Sequence, residues 1–396
     1  MTHDRLPLEE LLTEAENAAP VDSIDVIAAD LRERFGARAV SFLFLDLVAQ
    51  AVVRMVRGDG ARQSERIHLP GSVYEQALRT QQLTLASDDS RGQRVLAPVT
   101  NRGDAIGLLE LTLPRCDEEV LEQISQAAHV LAYVVVTDRR FTDLYLWGQR
   151  TTQVSLAAEI QNQLLPSSSA CEAAQFVLAG TLVPADNVGG DTYDYSLDKR
   201  TLHLSVTDAM GHDVDSALLA TLLVNASRGA RRASRSLAEQ AREIHQSLLD
   251  HGRNALATGQ LLRVSLDGAG AQLVNAGHPW PLRLRAGTVG EVPLHIDPPF
   301  GFPFPVEFRV QDLDLRPGDR LVFYTDGMCE RQAASLDLLE LVRETADQHP
   351  RELVRRLTNA VLDVCHGRLE DDASVLCLDW HGPRRRSRKT HAGADT

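Results

Sequence analysis

Apolar residues recur along this chain in two rhythms, one helical and one alternating, and their succession predicts the elements. Residues 24–34 follow a helical period that stops at Gly36. Strand-like runs follow at 39–47 and 51–56, closed by the turn Gly58-Asp59-Gly60. Residues 73–80 read as a second helix. The runs 94–99 and 105–111 flank Asn101-Arg102-Gly103-Asp104 and so predict a hairpin. Near Asp117 a long helical stretch begins, in which Ile124, Ala127, Leu131, Val134, Phe141 and Tyr145 keep steps of three and four with Asp138 as the polar interruption. Such a stripe predicts a seam for another helix, or a helix packed on its own domain. Gly148 marks a weak point, after which Val154, Ala157, Gln161 and Leu164 resume the stripe until Pro166.

From about residue 172 strands and amphipathic helices come in runs. Strands are expected at 176–183, 202–206, 260–266, 272–274, 281–284, 320–324 and 374–380, with Asp267-Gly268 a hairpin signal. Helices are expected at 215–228, 336–345 and 351–366, and Ser236 with Glu239 forms a capping box that opens another. Runs of this kind imply an α+β class, with packed antiparallel sheets flanked by helices.

Composition adds limits. A chain of 396 residues, 43% hydrophobic and 24% charged, suits two or three globular domains, and a net charge of −14 argues against general nucleic-acid binding. Arg384, Arg385, Arg386, Arg388 and Lys389 form a local basic run, read as a disordered tail over 382–396. Five cysteines without a C-x-x-C pair fit a reducing cytoplasm. With no stretch near 18 uninterrupted apolar residues, neither export nor a membrane span is expected.

The order of helix, strands, middle helix, hairpin and closing helix over residues 20–137 resembles a GAF domain, a sensing module for a small-molecule or protein signal. No residue identifies its ligand, and His68, His129 and Cys116 do not amount to a haem or chromophore site. The organisation expected is a tail over 1–19, this GAF-like α/β sensor, a helical linker over 138–166, a second domain over 167–381 and the basic tail, with a homodimer formed through residues of the 120–165 stretch.

Carboxylates dominate the chemistry. Asp191 follows Gly189-Gly190, Asp208 ends one strand, Asp326 follows another, and Asp371-Asp372 precede the last. Gathered at one sheet edge they could stay ionised only beside a cation, and hard oxygen donors suit magnesium or manganese. A lone Asp-Gly is usually a turn. Here the segments Val188-Gly-Gly-Asp-Thr-Tyr-Asp194, Asp208-Ala-Met-Gly-His212, Asn275-Ala-Gly-His-Pro279, Pro317-Gly-Asp319, Tyr324-Thr-Asp-Gly327 and Asp371-Asp-Ala-Ser374 stand in order. Together they resemble the PPM-type protein phosphatases of the SpoIIE and RsbU group, and residues 158–166 resemble the helix leading into that domain.

The resemblance implies an α-β-β-α sandwich and two divalent cations, manganese or magnesium, holding a bridging hydroxide that attacks phosphoserine or phosphothreonine. It implies that Asp208 bridges the ions with the Ala209 carbonyl as a further ligand, that Asp326 and Asp371 complete one shell, and that Asp191 serves the other. The implied substrate is a phosphorylated STAS-type anti-sigma factor antagonist. His212 is a candidate general acid, or a helix-start residue. His278 reads as a turn organiser, Asp194 as a supporting carboxylate or a strand-end cap, and Asp372 as an exposed turn residue. Two departures stand out. Ala209 replaces a usual glycine, where a Cβ would restrict positive φ, and Asp213 replaces another and adds negative charge. They motivate the alternative of a weak or inactive phosphatase-like regulator that binds a partner. Gly189-Gly190-Asp191 also resembles the hairpin of diguanylate cyclases, but that reading leaves the later aspartates unexplained.

Overall fold

The computed structural model describes residues 6–46, 48–56, 63–88, 92–114, 116–149, 155–185, 189–211, 213–329, 331–383, 390–391 and 393–395. The chain forms two compact units, residues 1–153 with 388–396, and residues 154–387.

The first unit is α/β. Helices α1 (Leu8–Asn17) and α2 (Ser23–Phe35) precede strands β1 (Ala39–Leu45), β2 (Ala51–Val56) and β3 (Gln63–His68). Then come α3 (Val73–Thr80), β4 (Thr84–Asp88), β5 (Gly92–Asn101), β6 (Asp104–Leu113), α4 (Glu118–Asp138) and α5 (Leu144–Gln149). The strands make one antiparallel sheet in the order β3-β2-β1-β6-β5-β4. Alternation along β1 sorts its faces: Phe42 and Phe44 meet α1, α2 and α4, whereas Leu43 meets Tyr74, Ala77 and Leu78 of α3. Strands β3 and β4 have no counterpart in the hydrophobic pattern, because edge strands rich in Gln, Ser, Glu, Thr and Asp bury too little to show a period.

The expected interchain seam is used within this unit. Ile124, Ala127, Leu131 and Val134 of α4 are buried among residues of β1, β5 and β6, and Tyr145 packs on Phe44. Phe141, assigned to the same stripe, is 69% exposed. The helical stretch ends at Asp138 and restarts at Leu144, whose N–H donates to Thr142 Oγ1. Among the described residues α4 is also the one helix long and apolar enough to cross a membrane, and half of its most apolar window is buried in the unit. The basic residues 384–389 lie outside the described residues. Beyond them, Thr390–His391 pair with Ala394–Asp395, and the Gly393 carbonyl accepts from Gly103 N at 3.0 Å.

The second unit opens with α6 (Leu156–Leu164), capped by Ser155, whose hydroxyl accepts from Ala158 N. Strands β7 (Ala170–Glu172), β8 (Phe176–Val183), β9 (Asp191–Leu197) and β10 (Thr201–Ala209) lead to helices α7 (Asp213–Arg232) and α8 (Leu237–His251). Strands β11 (Ala257–Ser265), β12 (Ala271–Ala276), β13 (Leu282–Arg285), β14 (Thr288–Glu291), β15 (Gln311–Leu313) and β16 (Asp319–Tyr324) follow. A 3-10 turn (Asp326–Met328), helices α9 (Leu338–Glu344) and α10 (Pro350–Val364), and β17 (Ala373–Trp380) complete the unit. One sheet runs β15-β12-β11-β10-β9 and the other β14-β13-β16-β17-β8-β7, with every strand pair antiparallel.

Period-2 patterning stacks these layers. Leu202, Leu204 and Val206 of β10 meet Leu321 and Phe323 of β16 and Leu376 and Leu378 of β17 in the core between the sheets. Leu261 and Val274 point the opposite way, into Leu237, Ala241, Ile244 and Leu248 of α8. The capping box of Ser236 and Glu239 that begins α8 is formed in both directions. With α10 against β8 and β17, the order of layers is α-β-β-α.

Candidate metal centre

The carboxylates meet where both sheets end. Strands β9 and β10 pair so that Asp191 and Asp208 stand directly opposite each other. Their register depends on a close backbone approach: Ala209 N donates to Gly190 O at 3.1 Å, and a Cβ on Gly190 would lie 2.2 Å from Ala209 O. Only glycine fits there. Ala209 itself is paired with Ala257 as the last residue of β10, and its methyl is buried. Positive φ falls instead at Gly211, at +123°. The concern that a Cβ at 209 distorts the strand end is therefore removed.

From the second sheet, β16 delivers Thr325 and Asp326, and the start of β17 delivers Asp371 and Asp372. The Thr325 hydroxyl donates to Asp191 Oδ2 at 2.6 Å and accepts from Ser374 N at 2.9 Å, joining three strands. A Cβ on Gly327 would lie 2.0 Å from Asp372 O, so this glycine too permits a close passage. Asp326 and Asp371 line one cleft with Gly327, Gln332, Cys365, Leu369 and Glu370.

Asp372 is 1% exposed, contrary to the expected turn carboxylate. It accepts from Ala185 N at 2.8 Å, Gln161 Nε2 at 2.6 Å and Asp191 N at 3.4 Å. Local sequence marks it as a turn, and the burial comes from α6 and the segment after β8 closing over it. Burial holds the Asp372 carboxyl above the ordinary range. Asp191, 2% exposed, is pushed well up by burial and then by the Asp208 and Asp372 charges.

Gln161 carried no chemical expectation beyond its place in the α6 stripe, and it is a working part of this edge. It is fully buried, and its Nε2 donates to both Asp372 Oδ2 and Asp191 O at 2.6 Å. Asp194 is a clamp between β9 and α7: it accepts from Arg228 Nε and Nη2 and from Arg231 Nη1 at 3.0–3.2 Å. Arg228 Nη2 also donates to Leu164 O, tying the end of α6 to the same clamp. His212 lies outside the described residues, and Asp213 is the first residue of α7. His278 organises its turn through Asn275 as expected, but its ring also reaches both sheets.

The donor types, all carboxylate oxygens, suit a hard divalent cation. Asp191, Asp208, Asp326 and Asp371 bring carboxylate oxygens to one edge, and the desolvated Asp191 charge beside two others is what a cation would offset. Among the described residues, no three His, Cys, Asp or Glu side chains already stand as a formed ligand group.

Residues 198–381 match the SpoIIE family, Stage II sporulation protein E. The phosphoserine phosphatase RsbP of Bacillus subtilis is 26% identical over 204 residues, 48% of this chain and 49% of RsbP. The phosphoserine phosphatase RsbU of the same organism is 22% identical over 242 residues, 57% of this chain and 70% of RsbU. The chain thus spans about half the length of RsbP. Among solved structures, the RsbU and RsbW domains of a Mycobacterium tuberculosis protein align with a TM-score of 0.47 at 23% identity, covering 54% of this chain and 62% of that one. The SpoIIE phosphatase domain of B. subtilis with a fragment of its regulatory domain aligns with a TM-score of 0.44 at 19% identity, covering 52% and 64%.

Proposed function

Taking residues 198–381 as a SpoIIE-family domain of the PP2C type, we propose that this chain is a metal-dependent protein serine/threonine phosphatase under the control of a GAF-like sensor in its first unit. The observation that carries the reading is the gathering of Asp191, Asp208, Asp326 and Asp371 at one edge of a two-sheet sandwich, with Asp191 desolvated against Asp208 and Asp372.

In this reading the edge holds two divalent cations, manganese or magnesium. Asp208, Asp326, Asp371 and Asp191 would hold them, with the Ala209 carbonyl as a further ligand. Bound cations supply charge neutralisation for phosphoryl oxygens and a lowered pKa for water. The chain's own residues supply the frame. Thr325 orients the Asp191 carboxylate through its hydroxyl, Gly190 and Gly327 let two backbones approach, and Gln161 and Ala185 hold Asp372 against the start of β9, whose Asp191 N also donates to it. His212 would be the candidate general acid for the leaving serine oxygen, with a helix-start role as the alternative.

The substrate would be a phosphorylated STAS-type anti-sigma factor antagonist, the kind of partner that fits a likeness to RsbP and RsbU. The test is manganese-dependent release of phosphate from a phosphoserine STAS protein. Turnover should need the metal and fall by about a hundredfold or more in Asp208→Asn. Metal binding without turnover in the wild-type chain would favour the alternative, a phosphatase-like regulator that binds its partner without hydrolysing it.

A further inference from the structure

The segment after β12 sets an imidazole between the ends of the two sheets. His278 is 1% exposed, and its ring nitrogens have partners on opposite sheets: Nδ1 lies 2.8 Å from Thr258 Oγ1 on β11, and Nε2 lies 3.1 Å from Tyr324 O at the end of β16. A carbonyl only accepts, so Nε2 carries the proton. Burial holds the ring neutral, with its pKa pulled down to about 4, so Nδ1 accepts from the Thr258 hydroxyl. Asn275 then pins the residue from behind, accepting from His278 N and donating to His278 O, both at 2.9 Å, while Gly277 makes the turn at φ +71°.

Each end of this bar adjoins one half of the carboxylate set. Thr258 is the residue directly opposite Asp208 in the β10–β11 ladder. Tyr324 is followed at once by Thr325, the donor to Asp191, and by Asp326. We propose that His278 is a positioning residue that fixes the spacing between Asp208 on one sheet and Asp326 on the other, and thereby sets the affinity of the edge for a divalent cation. The proposal rests on the reading of that edge as a metal centre. Ligand distances in such a centre are held to about 0.2 Å. A rigid, neutral ring of one tautomer maintains that tolerance across two independent sheets, where a buried aliphatic side chain would fill the space without bonding to either. The ring touches neither a ligand carboxylate nor the reacting atoms. Its influence runs through the Thr258 hydroxyl and the Tyr324 carbonyl.

The experiment titrates manganese into the full-length chain and reads the rise in unfolding temperature, with phosphate release as a second readout. Wild type, His278→Ala, His278→Gln, Thr258→Val and the double variant His278→Ala with Thr258→Val are compared. Half-saturation should move to about tenfold higher manganese or more in His278→Ala, the range expected when a group that orients ligands is lost. Thr258→Val should move it in the same direction by less. The double variant should be no worse than His278→Ala, because both act along one path. His278→Gln, which can still donate to Tyr324 O, should recover part of the affinity, and the manganese needed for half-maximal phosphate release should shift in parallel with the half-saturation in every variant. A merely space-filling histidine would lower the unfolding temperature of the metal-free protein and leave half-saturation where it is, which would overturn the proposal. Should His278→Ala fail to fold, unchanged half-saturation in Thr258→Val would overturn it equally. A wild-type chain that gains no stability from manganese would overturn the metal reading itself.

Discussion

Asp191 carries the main electrostatic cost at this edge. Its carboxyl titrates above the ordinary range, first through burial and then through Asp208 and Asp372, so the ionised group destabilises the metal-free fold above that raised value. Asp191→Asn keeps an acceptor for Thr325 and removes the charge. It should stabilise the metal-free protein by about 1–2 kcal/mol, or about 2–8 °C, and abolish the gain from manganese; a melting curve with and without the metal reads both. His278 makes the opposite demand on pH. Its folded pKa of about 4 lies below the ordinary histidine value, so its contribution is complete above about pH 6.5 and is lost as pH falls toward 4. In that window stability should change by up to about 1.4 kcal/mol per pH unit on its account. His278→Gln should remove that component, as urea denaturation at stepped pH would show. The aspartates were legible as a set, because residue type and motif order are local. Burial of Asp372 was not, since a turn carboxylate in sequence is covered only by residues some 200 positions away.

At the scale of elements, α6 matters beyond its apolar stripe. It is fastened at two points, by Gln161 to Asp372 and Asp191 O, and at its C-terminal end by Arg228 to Leu164 O. Gln161→Ala would leave a buried carboxylate short of a donor and should cost about 1–3 kcal/mol. Urea unfolding of the full-length chain would measure it, and a loss below about 0.5 kcal/mol would argue against so central a fastening. Elements with strong periods or caps were readable: α3, the β5–β6 hairpin and the Ser236–Glu239 box of α8 fall where the pattern puts them. Strand β9 was not read, although Tyr193 and Tyr195 alternate with Asp194 and Ser196 and pack between the sheets; so short and carboxylate-rich a run is placed by its pairing with β10.

For the whole molecule, the outstanding question is association. The seam residues of α4 are consumed in the first unit, but Tyr133, Phe141 and Leu146 stay exposed at 49%, 69% and 41%. If the expected homodimer forms through the 120–165 stretch, these are, with Leu156 at 64%, the exposed large apolar residues among the described ones there to make it. Light scattering should then give a dimer at micromolar protein and a monomer for Phe141→Glu; a monomeric wild type would end the expectation. The sequence by itself determined the α+β class, the change of pattern near residue 172, and the identity and order of the carboxylates, because each is written in local period and residue type. Tertiary structure decided which surface satisfies the α4 stripe, that Asp372 is buried, that Ala209 needs no unusual backbone, and that Gln161 and His278 connect distant strands. An apolar stripe specifies that it must be covered without specifying by what, and a hydrogen bond between residues far apart in the chain leaves no periodic trace.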